Sequence, residues 1–168
     1  GRYNEPLADR VILRNIRLAR AHCPKSWIYT HTNGDYLTRE YLDELTAAGL
    51  SRICLQTYLG NDDRYDEQRI VARQQQQLKK LGLKIKQTLY SEPNVRHFHL
   101  TDYPGLQVTI DARNFDTIGS DRGGLVKLNV AKHVRTDPCL LPFTSMYIDW
   151  TGDTVPCCNI RSDSADHR

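Results

Sequence analysis

The sequence predicts an α/β protein with mostly parallel strands. Three observations predict it. Segments with apolar residues at helical spacing alternate with short β-rich segments, in the order helix, strand, helix, strand, helix, strand, strand. The strand–helix–strand units take about 25–30 residues each, the length that a right-handed crossover between parallel strands requires. Polar residues collect directly after the strands, where α/β sheets and barrels bind ligands.

Residues 9–22 read as a helix that Asp9 can cap, with Ile12, Ile16 and Ala19 at helical spacing, Val11 and Leu18 beside them, and Pro24 stopping it. Residues 27–32 are rich in β-formers and end at Asn33-Gly34. Thr38 is the expected cap of a second helix that runs to Ala48, with Tyr41, Leu42, Leu45 and Ala48 on its apolar face and Gly49 at its C-terminal cap. Residues 52–58, with Ile53 and Leu55, form the next strand. Asp62 and Asp63 favour the start of a long third helix that takes in the run Gln74–Gln77, reaches Leu81 and closes at Gly82.

Residues 83–90 alternate Leu83, Ile85 and Leu89 with Lys84 and Lys86, which suggests a strand less buried than the others. Leu106, Val108 and Ile110 mark another strand over 106–112, and the stretch 91–105 before it is too short and irregular for a helix. After residue 113 the character changes: Gly119, Gly123 and Gly124 mark a loop, and a domain boundary is expected between 114 and 125.

Bulk properties exclude several classes of function. The 168 residues carry a net charge of +3 with no basic cluster, which argues against a nucleic-acid partner. No apolar run approaches the roughly 18 residues of a membrane span, and no signal peptide is visible, so a cytoplasmic location is expected. The chain opens without a methionine and neither end tapers, so it is expected to be a piece of a longer protein. Five cysteines, three of them in the last 30 residues, make a poor disulfide framework and fit thiols or metal ligands better.

The predicted strand ends carry Thr32-Asn33-Gly34, Gln56-Thr57-Tyr58, Tyr90-Ser91-Glu92 and Asp111-Ala112-Arg113, and Asn4-Glu5-Pro6 are placed to end a preceding strand. Any one of these is also what an ordinary polar loop would show; together they describe a rim. Glu5 is suited to accept hydrogen bonds from a ligand ammonium, Asn33 offers donor and acceptor together, and Gly34 lets a ligand approach the backbone. Cys139 is followed by twelve residues, Gly152, four residues and Cys157-Cys158. The alternation around Thr151-Gly152-Asp153 reads as a β-hairpin that would bring Cys139 towards Cys157. Three readings of these thiols stay open: incidental cysteines, a zinc site recruiting His133 or His167 without the usual C-x₂-C knuckle, or an iron–sulfur cluster. Cys23 and Cys54 read as structural thiols.

These motifs resemble a family. Tyr3-Asn4-Glu5-Pro6-Leu7 is similar to the glycine-glycine-glutamate-proline strand of radical S-adenosylmethionine (radical SAM) enzymes, and Thr32-Asn33-Gly34 to the Thr-Asn-Gly that ends their next barrel strand. Cys139, Pro142-Phe143, Met146, Gly152 and Cys157-Cys158-Asn159 resemble the opening of the SPASM auxiliary-cluster domain, and Ser120-Asp121-Arg122-Gly123-Gly124-Leu125 the segment that often precedes it.

The resemblance implies a partial radical SAM (β/α) barrel over 1–118 and the start of a SPASM domain over 119–168. It implies S-adenosylmethionine at Asn4, Glu5, Pro6, Thr32, Asn33 and Gly34, with Gln56 taking over a ribose or carboxylate contact and Arg69 near the cofactor carboxylate. It implies iron–sulfur ligation by Cys139, Cys157 and Cys158, and [4Fe–4S] clusters in the parent enzyme. The implied reaction forms a 5′-deoxyadenosyl radical for hydrogen abstraction, with a peptide or protein substrate and an electron donor such as flavodoxin or ferredoxin. Three departures matter. The family's C-x₃-C-x₂-C loop does not occur in the chain, Asn4 replaces a glycine, and Leu55-Gln56-Thr57 replaces Ser-Leu-Asp. The alternative from another class is a zinc-stabilised α/β binding module without catalysis.

Overall fold

The structure is a computed structural model that describes residues 5–60, 64–118, 136–149 and 151–157. The chain divides into two compact units, Gly1–Asn114 and Phe115–Arg168. In the first unit the order is α1 (Val11–His22), β1 (Tyr29–Thr32), α2 (Arg39–Ala47), β2 (Arg52–Thr57), α3 (Glu67–Leu81), β3 (Ile85–Glu92), β4 (Arg96–Thr101) and β5 (Gln107–Arg113).

Local chemistry explains the helix limits. Asp9 Oδ1 accepts from Val11 N at 2.9 Å at the start of α1. Thr38 Oγ1 accepts from Tyr41 N at 3.1 Å and caps α2. Asp62 and Asp63 lie outside the described residues; the cap of α3 is Asp66, whose Oδ1 accepts from Arg69 N at 3.0 Å. At the other end of α3, Gly82 turns left-handed at φ +62 while Leu83 N donates to Leu78 O at 2.9 Å. This is a Schellman closure, which needs a residue free to take positive φ.

The five strands form one mixed sheet in the order β1-β2-β5-β4-β3. β1, β2 and β5 run parallel, with Thr32 opposite Leu55 and Leu55 opposite Ile110. The mostly parallel pairing expected from the sequence holds for β1, β2 and β5 and gives way to antiparallel pairing beyond β5. The stretch 91–105 contains a further strand, β4, which pairs antiparallel with both β5 and β3. Pro93, Asn94 and Val95 close the β3–β4 hairpin, with Asn94 at φ +58, where asparagine is among the few residues that settle easily. Two antiparallel steps return β3 to the direction of β5, so the C-terminal ends of β1, β2, β5 and β3 still share one edge. β3 is exposed along its whole length and its pairing is interrupted by two register shifts, as suits an edge strand.

Alternation divides the sheet into two faces. Ile53, Leu55, Val108 and Ile110 point to the helices and pack with Leu13, Ile16, Leu42, Leu45, Leu78 and Leu81 in one core. Each of the four strand residues is at most 1% exposed. The other face carries polar and charged side chains.

In the second unit, α4 (Leu141–Thr144) precedes a two-stranded ribbon of β6 (Tyr147–Ile148) and β7 (Thr154–Val155). Asp149 N donates to Asp153 O at 2.8 Å and Gly152 N to Asp149 O at 2.9 Å, so the ribbon folds back at the Thr151-Gly152-Asp153 turn. Among the described residues no helix is long and apolar enough to cross a membrane.

Gly82 supplies a clean test of the α3 closure. A Cβ there would meet nothing within 4 Å, so the effect of a substitution is that of the backbone alone. Gly82→Ala is expected to lower the unfolding free energy by about 1 kcal/mol, and Gly82→Asn by less. Urea unfolding measures both, and an unshifted midpoint for the alanine variant would contradict the left-handed closure.

Candidate functional site

The polar edge is organised around Glu5. Its Oε1 accepts from Thr32 Oγ1 at 2.5 Å and Leu7 N at 3.1 Å, and its Oε2 accepts from Asn33 N at 2.8 Å. A carboxylate offers about four acceptor positions. Among the described residues three are filled. The carboxylate thereby ties the segment before α1 to the end of β1.

The Thr32-Asn33-Gly34 turn is held from several sides. Thr32 Oγ1 accepts from Gly34 N at 3.0 Å, and Asn33 Oδ1 accepts from Asp35 N at 2.9 Å. Gly34 sits at φ +81, and a Cβ there would meet Gln77 Nε2 at 3.3 Å. Gln77 is the residue that sequence reasoning passed over. Its Nε2 donates to Asn33 O at 3.0 Å while its Oε1 accepts from Thr57 Oγ1 at 2.8 Å. One carboxamide from α3 therefore joins the ends of β1 and β2. Its signal was present in the sequence: Gln77 follows the buried Ile70 and Gln74 at helical spacing, on the face that also buries Leu78 and Leu81.

The remaining predicted residues are placed unevenly. Arg69 lines a cleft of about 640 Å³ with Gly34, Asp35, Arg73 and Gln77, so it shares a surface with the β1 turn. Pro6 lines a different, apolar cleft of about 350 Å³ with Ile12, Ile16 and Ile28. Gln56 alternates with Thr57 along β2 and points to the helix-free face, where its Oε1 accepts from the Tyr58 hydroxyl. Asn4 and Cys158 lie outside the described residues, as do His133, His167 and the segment Ser120–Leu125. Cys139 and Cys157 are half-buried in the second unit, and no group of three His, Cys, Asp or Glu placed to hold a metal occurs among the described residues.

Asp111, from the predicted rim, is only 2% exposed. Its Oδ1 accepts from Arg96 Nε at 2.9 Å and its Oδ2 from Arg113 Nε at 3.0 Å. Arg96 and Arg113 are direct cross-strand partners, an arrangement that repels unless an anion sits between the guanidiniums. Arg96 belongs to β4, so the sequence reading that left 91–105 irregular could not pair it. On the same face, burial lowers the pKa of His31, and the charges of Arg52 and Arg113 lower it further against the opposing effect of Asp111.

No family model matches the chain, and no curated protein matches it. Among solved structures it is similar to "Crystal structure of BtrN in complex with AdoMet and 2-DOIA", with a TM-score of 0.54 and 20% identity. The similarity covers 94% of this chain and 50% of that one, so this chain spans about half of BtrN. The chain thus has a fold of the kind found in BtrN. At that identity the likeness speaks for fold alone.

Two measurements test the site's construction. Gln77→Leu leaves Thr57, itself 1% exposed, without its acceptor. It is expected to destabilise the chain by about 1–3 kcal/mol, while Gln77→Glu, which keeps the acceptor but loses the donor to Asn33 O, falls between it and the native chain in urea unfolding. The second concerns pH. His31 and His99 both bind a proton less readily in the fold than at their ordinary value of 6.5, because both are partly buried. Their contribution to stability is present above about pH 6.5 and lost as pH falls below it, because the unfolded chain then takes up more protons. Thermal unfolding midpoints should fall between pH 7 and about 5.5, and less steeply in the His31→Asn, His99→Asn double variant.

Proposed function

We propose that this chain is the S-adenosylmethionine-binding portion of a radical SAM enzyme, followed by the start of a SPASM auxiliary-cluster domain. The observation that carries the reading is the Glu5 carboxylate, fixed at the edge where the strands end by Leu7, Thr32 and Asn33, with one acceptor position left among the described residues. The fold shared with BtrN, a protein solved in complex with AdoMet, supports it.

On this reading Glu5 accepts a hydrogen bond from the ammonium of S-adenosylmethionine. The fixed turn at Asn33 and Gly34 orients the methionine moiety without a loop having to order on binding. Arg69, which lines the cleft beside Gly34, is the proposed partner of the cofactor carboxylate, and Gln56 is proposed for a ribose or carboxylate contact. When bound beside a reduced [4Fe–4S] cluster, S-adenosylmethionine supplies a 5′-deoxyadenosyl radical for hydrogen abstraction. The chain contains no C-x₃-C-x₂-C sequence, so its own residues do not fit that cluster. Cys139, Cys157 and Cys158 are the proposed ligands of an auxiliary cluster. The folded-back ribbon carries Cys157 two residues beyond β7, and soft thiolates suit iron–sulfur centres. The substrate is proposed to be a peptide or protein, and the electron donor a flavodoxin or ferredoxin.

Isothermal titration of the 168-residue chain with S-adenosylmethionine tests the central claim. Glu5→Gln removes the charge from the bond to the ammonium and should weaken binding about tenfold; equal affinity for both proteins would overturn the role of Glu5. Cys139→Ala should lower iron per chain after anaerobic reconstitution while leaving S-adenosylmethionine binding unchanged. Bound zinc with no iron would instead favour the non-catalytic module.

A further inference from the structure

The helix-free face of the sheet holds a charge arrangement that the cofactor reading does not use. Three arginines reach over it: Arg52 from β2, Arg96 from β4 and Arg113 from β5. One buried carboxylate, Asp111, answers them, and it is shared by Arg96 and Arg113. Glu92 stands opposite Arg96 in register, but its carboxylate accepts from the Tyr90 hydroxyl, and no ion pair joins it to Arg96 among the described residues. Among the described residues the three guanidiniums thus outnumber the carboxylates Asp111 and Glu92 by one positive charge.

Arg52 is the cation left over. Its hydrogen bond among the described residues is a long one, from Nη2 to Thr109 Oγ1 at 3.4 Å. Its Nε is shielded from solvent and has no hydrogen-bond partner. A guanidinium has five N–H donors in a planar fork, and most of these are uncommitted here. The fork is nevertheless held in place, because its carbon lies 5.6 Å from the centre of the Phe98 ring, with the Arg96 guanidinium 5.0 Å from the same ring. An ordinary solvated surface arginine would be more exposed and less fixed. The floor beneath is Cys54 and Thr109, 2% and 1% exposed. The charges of Arg52 and Arg113 act together on both Cys54 and His31, so all four groups surround one stretch of sheet.

We propose that this face binds an oxyanion, a carboxylate or phosphate group on a small ligand, with Arg52 as the direct donor and the Asp111-anchored pair Arg96 and Arg113 supplying the surrounding positive field. An oxyanion accepts two parallel N–H bonds from a guanidinium, which a neutral group cannot do as strongly. Arg52 opens β2 opposite Tyr29, and its guanidinium reaches along the face towards Phe98; on the radical SAM reading the oxyanion belongs to the substrate. Only that role rests on the reading; the binding does not.

The test uses the whole 168-residue chain, titrated separately with inorganic phosphate and with succinate. Saturable binding of at least one is expected, and the tighter of the two identifies the kind of oxyanion. Arg52→Gln should weaken it about tenfold, Arg52→Lys by less, because the charge is kept and the fork lost. Arg14→Gln, on an exposed face of α1, should bind as the native chain does. Arg52→Gln leaves the Asp111 pairs intact, so it should fold. In case it does not, the Arg52 Nε–H resonance of the native protein is followed by NMR, and it should shift on addition of the anion. No saturable binding, native affinity in Arg52→Gln, an equal loss in Arg14→Gln, or an unmoved Arg52 resonance would overturn the proposal. S-adenosylmethionine titrated into the same protein separates the two readings: anion binding without it sinks the cofactor reading alone, and the reverse result sinks only the oxyanion site.

Discussion

Helix α3 is tied to the sheet at both of its ends, and the ligand edge depends on those ties. Near its start, Glu67 accepts from Asn94 N at 2.6 Å with Oε2, while its Oε1 lies 3.2 Å from His97 Nε2, so the β3–β4 hairpin is fastened to the helix. Near its end, Gln77 spans Asn33 O and Thr57 Oγ1, and Lys80 Nζ donates to Asp35 O at 3.2 Å. Fifteen helical residues reach about 22 Å. One element therefore sets the positions of turns that are far apart in the chain. Without Gln77, the ends of β1 and β2 would each present a polar group to the helix with no partner, an arrangement that buried structure avoids.

The same sheet serves two purposes because alternation separates its side chains. Towards the helices it presents Ile53, Leu55, Val108 and Ile110, and burial of that face stabilises the unit. Away from them it presents His31, Cys54, Thr109 and Asp111, with arginines overhanging. A buried carboxylate with one partner would be costly; two charge-assisted bonds from Arg96 and Arg113 make Asp111 tolerable and align the two cations on adjacent strands. The interaction also fastens β4 to β5 at the edge where the ligand is proposed to sit.

The second unit is built differently. Its ribbon has two strands of two residues, and among the described residues of this unit Val155 is the buried hydrophobic one, while Phe143, Met146 and Ile148 are exposed. A ribbon of that size lacks the apolar area to be stable by itself. Small units of this kind are commonly held by cross-links or metals, which is the physical reason the cysteines at 139 and 157 weigh in the proposed function.

Much of the first unit was legible in the sequence. The apolar periods of α1, α2 and α3, the Thr38 cap, the Gly82 closure and the strands over 29–32, 52–57 and 107–113 are local properties, decided within a few residues by propensity, capping and alternation. The rim residues Thr32, Asn33, Asp111 and Arg113 were legible for the same reason: they close a strand or follow it directly. What the sequence left open is whatever depends on which strands become neighbours. β4, with the sequence Arg-His-Phe-His-Leu-Thr, alternates only two apolar residues, and it turns the polar set His97, His99 and Thr101 towards the helices, the reverse of its neighbours, so pairing on both sides decided it. Its insertion between β5 and β3 brought Arg96 to Asp111, and the crossing of α3 over β1 and β2 brought Gln77 between Asn33 and Thr57. Those contacts join residues 15 to 44 positions apart. Local pattern cannot encode such pairings, because hydrogen bonds and charges of this kind acquire partners only when the chain has closed its loops.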